Sequence, residues 1–406
     1  MANPPFLKSI RPVNLLSFGP DTPEIELRPL NILIGPNGSG KSNLIEIIGL
    51  LSKLPDKDPW SDVIRTGGAD EWMWKGKSTN RILPLLSVTT TERDNGIRSG
   101  LMTARSKQLY YSISLAPWES DFLILNERFL EIGEGTDPTH ATNDSFERNE
   151  GTGTLLTNPT PSIPAGRSVL SVLGREPYFS TQYPRMRELA DAFEQFAFYR
   201  DWTFGHKSET RQLQPAGLDS YRLASDSINL AQVLKAMRDR GDSAVFERLI
   251  ELARSFYEPL KDVDTELVGT SLRIMVKEDG LTSRTPAERL SDGTLRWLTL
   301  LIILLDPTPP PVICIDEPDL GLHPDMIPTL ADLLRDASTR TQLVVTTHST
   351  GLVDAFSDTP EVVCVCEKVE GATQIRRLDA ERLAVWMEDY SLGSLWASGE
   401  IGGNRW

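Results

Sequence analysis

Cysteine, basic charge and long apolar runs are all scarce in this chain, and each shortage removes a class of function. Three cysteines cannot frame a disulfide-stapled fold. Two of them, in Val362-Val363-Cys364-Val365-Cys366, alternate with valines as strand residues do, which favours core or surface thiols over metal ligands or a redox pair. Lys and Arg number 42 against 57 Asp and Glu; the net charge of −15 opposes a whole-surface affinity for nucleic acid but leaves room for a local basic stripe. No apolar run reaches the length of a membrane span. The opening Met1-Ala2-Asn3-Pro4-Pro5-Phe6-Leu7-Lys8 lacks the charged-then-apolar order of a secretory leader, so a cytoplasmic location is the default expectation. Repeats of solenoid length are missing too. What is present is an apolar fraction of 39%, which with glycine added is that of an ordinary globular chain and excludes a disordered one.

Composition shifts divide the chain into five stretches. Residues 1–132 alternate strand-like runs with turns, as in Asn31-Ile32-Leu33-Ile34, Leu86-Ser87-Val88-Thr89-Thr90 and Tyr110-Tyr111-Ser112-Ile113-Ser114. Residues 133–175 turn to Pro, Gly and Thr, which is loop chemistry and predicts poor order. Across residues 176–260 the period becomes helical: Leu230, Val233, Leu234 and Met237 share one face, Gly241 sits where a helix would stop, and Phe246, Leu249, Ile250 and Ala253 repeat the spacing. That reads as an inserted helical hairpin. Residues 261–375 return to strands around a near-continuous apolar helix, Leu295 to Leu305, and residues 376–406 form a tail. Strand alternating with helix at this end predicts a parallel sheet.

One segment carries specific chemistry. Gly35-Pro36-Asn37-Gly38-Ser39-Gly40-Lys41-Ser42 fits G-x-x-x-x-G-K-[ST] without a mismatch. Asn31 to Ile34 is the incoming strand, and Leu44, Ile47, Ile48 and Leu51 mark one face of the outgoing helix. Glycines here let backbone N–H groups of the loop, Asn37 and Ser39 included, converge on phosphate oxygens, and the helix end adds its positive dipole. Lys41 would reach the β- and γ-phosphates of ATP, and Ser42 would hold Mg2+.

Far downstream, the apolar strand Val312-Ile313-Cys314-Ile315 ends in Asp316-Glu317-Pro318. Asp316 could orient Mg2+, and Glu317 could accept a proton from attacking water; acids at a strand end are also common turn formers. Upstream, Leu290-Ser291-Asp292-Gly293-Thr294 opens the apolar helix. Ser291 and Gly293 could face a γ-phosphate, although the same residues make an ordinary helix cap. After the strand Leu343 to Val345, Thr346-Thr347-His348-Ser349 places His348 where it could sense the nucleotide or the water.

In this order, the phosphate loop, the L-S-x-G-x signature, the acidic strand end and the histidine resemble the ABC-type ATPase heads of the SMC, RecF and OLD families. Ile315-Asp316-Glu317-Pro318-Asp319-Leu320-Gly321-Leu322-His323-Pro324 is similar to the D-E-P-E-x-G-L-H-P segment of OLD-like and stand-alone AAA-type ATPases. The resemblance implies an α/β fold: an ABC-type head with a mixed sheet, an antiparallel β subdomain and an inserted helical subdomain. Residues 1–132 and 261–375 would be its two halves. It also implies a composite site in a homodimer, with Lys41 and Ser42 of one copy and Ser291 and Gly293 of the other closing on one ATP. Asp319 to His323 looks like the loop that crosses the interface, with a helix-start role for His323 standing equally. Two departures matter. No glutamine loop is evident near Gly67-Gly68-Ala69-Asp70-Glu71, and the stretch after His348 leaves little room for a TOPRIM nuclease domain; Glu361, Glu367 and Glu370 read as a solvated edge.

The expected function is therefore a Mg-dependent ATPase switch. By family analogy it would act on a protein effector, such as a TOPRIM-type nuclease in bacterial anti-phage defence. The competing reading is a RecF-like DNA clamp, for which Arg185-Met186-Arg187 and Arg238-Asp239-Arg240 are the basic candidates. A transporter's ATP subunit is disfavoured by the long segment between the halves.

Overall fold

The computed structural model describes residues 5–77, 83–91, 107–133, 144–149, 152–154, 163–173, 183–200, 204–205, 207–240 and 243–403. Strands in chain order are β1 (Leu7–Val13), β2 (Ile25–Glu26), β3 (Leu30–Ile34), β4 (Leu85–Thr91), β5 (Lys107–Trp118), β6 (Asp121–Gly133), β7 (Asp144–Asn149), β8 (Thr152–Thr154) and β9 (Ala197–Tyr199). Then come β10 (Gln214–Pro215), β11 (Leu260–Val268), β12 (Ser271–Glu278), β13 (Thr285–Pro286), β14 (Val312–Asp316), β15 (Gln342–Thr346), β16 (Val363–Val369) and β17 (Ala372–Arg377).

A six-stranded sheet in the order β17-β16-β3-β15-β14-β9 divides the molecule; its strands are parallel except β17, which returns against β16. Pleat alternation sends Ile32, Ile313, Ile315, Leu343 and Val345 to one core, and Leu33, Val312, Cys314, Val344 and Cys366 to the other. Both faces of β14 and β15 are covered, which is why Val312–Ile315 and Leu343–Val345 read as short apolar runs. On the first face the helix Asp292–Leu304 is buried from Thr294 to Leu304, packed against Ser243–Phe256, Ile327–Ser338 and Leu230–Asp239. A helix enclosed on all sides has no need of a polar stripe.

On the other face, the helix Lys41–Lys53 lies between the central sheet and a seven-stranded antiparallel sheet, β2-β1-β4-β5-β6-β7-β8. Among the described residues, side chains of Gln342 and Arg377 join the two sheets, Arg377 donating to the Glu26 carbonyl (2.9 Å). Gln342 accepts from the Leu7 amide (2.7 Å) and donates to the Leu7 carbonyl (2.8 Å), imitating a β-bridge. A third, smaller antiparallel sheet holds β10, β11, β12 and β13.

Local expectations from the sequence meet four differences. Within residues 133–175, read as loop, the described parts include β7 and β8, which extend the antiparallel sheet; Phe146 pairs with Phe129 and is buried there. One apolar residue among polar ones gave no period to detect. Within residues 176–260, read as helical, β9 joins the parallel sheet beside β14, and β10 joins the small sheet. Two or three residues are too few for periodicity, and their partners are distant in sequence. The helices expected there are present, but Pro184–Glu194 packs in the core of the phosphate-loop helix while Leu230–Asp239 and Ser243–Phe256 pack in the other. Gly241 lies outside the described residues. Within residues 376–406, read as a tail, the helix Leu392–Ser398 packs on Thr350–Asp354 and buries Leu395 and Trp396, so that helix belongs to the core.

Candidate nucleotide site

Three neighbouring parallel strands, β14, β15 and β3, bring most of the sequence candidates to one sheet edge: Asp316 ends β14 and Glu317 follows it, His348 follows β15, and Gly35 to Ser42 follow β3. The carboxyl edge of a parallel sheet is where such folds bind ligands.

The phosphate loop needs its glycines for different reasons. Gly35, at φ 149°, passes so close to the Cys366 carbonyl that a Cβ would collide with it; Gly40, at φ 103°, is backed against Thr373 and Ser17. A Cβ on Gly38 would meet nothing within 4 Å, so that side of the loop is open. Behind the loop, Thr373 on β17 donates to the Ser39 carbonyl (2.8 Å) and bonds the Ser17 hydroxyl (2.7 Å).

Lys41 is 6% exposed and donates to the carbonyls of Gly35 (2.8 Å) and Pro36 (3.1 Å). Burial lowers its pKa, opposed by Cys366, Glu317 and Asp316. The Ser39 hydroxyl is buried with no hydrogen-bond partner among the described residues, and Asn37 and Gly38 are exposed at the tip. A buried unpaired hydroxyl, a tucked lysine and a loop open on one side fit a polyphosphate.

Opposite the loop, Thr346 organises both acids. Its hydroxyl donates to Asp316, and the Glu317 amide is shared between the Thr346 carbonyl and hydroxyl, both at 3.1 Å. Glu317 adopts φ 48°, a left-handed conformation costly for a side chain of this kind, and its carbonyl accepts from Arg296 at 3.2 Å. His348 Nε2 lies 3.6 Å from Glu317 Oε1. The pair's proximity alone would favour imidazolium, but burial and Lys41 lower the His348 pKa against the pull of Glu317, Asp319 and Asp316, so the neutral ring prevails near neutral pH. Burial raises the pKa of Asp319, tempered by its 2.7 Å bond from Thr347. Ser42 and Asp316, both half-buried, supply oxygens of the kind Mg2+ takes.

The signature residues stand apart. Ser291 caps Asp292–Leu304 by accepting from the Thr294 amide (3.0 Å), and Gly293 leaves room for Phe256 and the Gly321 carbonyl, each of which would crowd a Cβ. Asp292 and Gly293 face a cleft of about 820 Å³ shared with Phe204, Lys207, Arg296 and Gly321; no phosphate-loop residue lines it. His323 caps the turn Pro324–Met326, its Nδ1 accepting from the Asp325 amide at 3.3 Å, while its side chain stays largely exposed. Cys314, Cys364 and Cys366 are free thiols buried in strands. Sequence reading missed Thr346, Thr373, Ser17 and Arg296. A polar run after an apolar strand signalled Thr346; nothing local signalled Thr373, which meets the loop only through β17.

A mixed sheet with the phosphate loop at its carboxyl edge and an antiparallel sheet alongside is the fold of Smc head domains. The chain belongs to the family described as "AAA domain, putative AbiEii toxin, Type IV TA system", whose model matches residues 30–354. The Smc head bound to the C-winged helix domain of ScpA superposes with a TM-score of 0.56 at 13% identity, covering 94% of this chain and 100% of that one. An Smc head with an extended coiled coil, bound to the C-terminal domain of ScpA derived from Pyrococcus furiosus, also gives 0.56 at 13% identity, covering 95% and 99%. Identity this low speaks for the fold alone. ABC transporter A family member 12 of Arabidopsis thaliana is 34% identical over 98 residues, 23% of this chain but only 10% of that protein, so the chain matches a tenth of its length.

Proposed function

We propose that the protein is a cytoplasmic, ATP-hydrolysing switch that closes as a homodimer over two ATP molecules. The observation that carries this reading is a division of labour. Lys41, Asp316, Glu317 and His348 converge at one sheet edge, while Ser291 and Gly293 sit on a separate helix cap beside a cleft that has no phosphate loop. A second copy would supply what each half lacks.

In this reading, the backbone amides of Gly38 to Gly40 and the Lys41 ammonium hold the phosphates. Glu317 takes the proton of the attacking water, and neutral His348 hydrogen-bonds that water or the γ-phosphate. Mg2+ bound by Ser42 and Asp316 would neutralise charge on the phosphate oxygens. Across the interface, the Ser291 hydroxyl and the amino end of its helix would bind the γ-phosphate of the partner's ATP.

A protein receives the signal. Smc heads are seen bound to ScpA, and the family's description speaks of a toxin in a toxin–antitoxin system; both accord with an effector partner, such as a TOPRIM-type nuclease in antiviral defence. The DNA-clamp alternative rests on basic groups that have acidic or aromatic partners here. Arg238 pairs with Asp262 (3.0 Å), Arg185 with Glu188 (3.0 Å) and Arg187 with Asp191 (3.6 Å), and Arg240 lies over Tyr221.

The test is the solution mass of Glu317→Gln protein, with and without ATP and Mg2+, then with duplex DNA. A doubling with ATP that ignores DNA supports the switch. A complex that forms only with DNA and weakens steeply with salt would replace it with the clamp, and a monomer under every condition would end the composite-site reading.

A further inference from the structure

Arg211 has a position that the catalytic constellation does not explain. It ends the short turn Glu209–Arg211, is 4% exposed, and spends its guanidinium on two separate segments. Nε donates to the Phe204 carbonyl (2.7 Å); Nη1 donates to the carbonyls of Ala287 (3.2 Å) and Leu290 (2.6 Å); Nη2 forms an ion pair with Asp292. Leu290 and Asp292 flank Ser291, so one side chain grips the signature cap on both sides. Phe204 lines the same cleft, with Arg296 of the signature helix over its ring at 5.6 Å.

The same segment continues into the helical region. Three residues past Arg211, the buried carboxamide of Gln214 accepts from the Ala231 amide (2.7 Å) at the start of helix Leu230–Asp239, and Gln232 donates back to the Pro215 carbonyl (2.5 Å). A short path therefore runs from the cap to Arg211 by hydrogen bonds, three residues along the chain to Gln214, and by hydrogen bonds again to that helix. The guanidinium offers five donors in a planar fork to the Phe204, Ala287 and Leu290 carbonyls and the Asp292 carboxylate; an ammonium has three, too few to serve all of them singly.

We propose that Arg211 is the positioning residue of the signature cap, tying Ser291 to the segment that carries helix Leu230–Asp239, so that cap engagement and placement of that helix are one motion. The motion rests on the dimeric switch described above; the positioning does not.

The experiment uses Arg211→Lys, which retains charge, with Asp292→Asn as a milder companion. Amide hydrogen exchange of the nucleotide-free protein is followed over residues 287–296 and 41–53. Arg211→Lys should speed exchange in the first stretch about tenfold or more and leave the second within about twofold. Turnover should then show kcat lowered about tenfold or more, KM within about threefold, and the ATP-dependent mass gain lost. Asp292→Asn, which leaves the carbonyl bonds intact, should do less of each.

Unchanged exchange over 287–296, or equal acceleration in both stretches, overturns the positioning role. Altered exchange with normal kcat and normal ATP-dependent mass overturns the coupling. If the wild type itself neither hydrolyses ATP nor changes mass, the dimeric switch falls, and the exchange result alone decides the role of Arg211.

Discussion

Glu317 combines a strained backbone, a bonded amide and carbonyl, and a carboxylate beside His348. Strain at an acidic strand end persists only where its surroundings over-determine it, here through Thr346 and Arg296. Glu317→Gln should keep ATP bound and lower turnover by about 10² or more, the worth of a positioned base, as measured by phosphate release beside nucleotide binding. For His348 the sign follows from its depressed pKa. The neutral ring survives to lower pH than an ordinary histidine, so the acid limb of kcat/KM should fall below the usual histidine range. His348→Gln should abolish that limb, and an unshifted profile would remove His348 from the reaction. Gly35→Ala would force a side chain into left-handed backbone against the Cys366 carbonyl, costing at least ~1–3 kcal/mol by thermal unfolding, with nucleotide affinity lost alongside.

Among the elements, the signature helix depends on what surrounds it. Trp297 is buried, donates to the Leu252 carbonyl at 2.8 Å and stacks on Phe256 with ring centroids 6.1 Å apart, fixing Asp292–Leu304 to Ser243–Phe256. Trp297→Ala should destabilise the fold by roughly 3–5 kcal/mol in denaturant melts, the cost of an aromatic cavity. The hairpin β16–β17 supports the phosphate loop from behind. Thr373→Val removes hydroxyl bonds to Ser39 and Ser17 while keeping the shape, and should weaken nucleotide binding with about 1–3 kcal/mol lost, read by titration calorimetry.

For the whole molecule, two cores back to back on one sheet put the phosphate loop and the signature cap in different layers. The phosphate-loop helix belongs to one core and the signature helix to the other. Closure over ATP would press one layer of each copy against the other layer of its partner. ATP-dependent mass should therefore be lost in Lys41→Ala, which loses nucleotide, and equally in Ser291→Arg, which should still bind it; sedimentation with matched binding assays separates the two.

The sequence by itself determined the local form of the phosphate loop, the acidic strand end and the helical cap. Each is a short contiguous run whose backbone geometry depends on residues a few positions away: glycines at Gly35, Gly38 and Gly40, an apolar run before Asp316, a serine before a helix. It likewise determined the core strands, because burial on both faces leaves short apolar runs in β3, β14 and β15: Ile32–Ile34, Val312–Ile315 and Leu343–Val345. Tertiary structure alone decided that β9 joins the parallel sheet, that Thr373 backs the loop and that Arg211 grips the cap. These contacts join segments tens to hundreds of residues apart, through single polar side chains or strands too short for a period. The free energy that specifies them lies in pairing across the fold, where no local pattern records it.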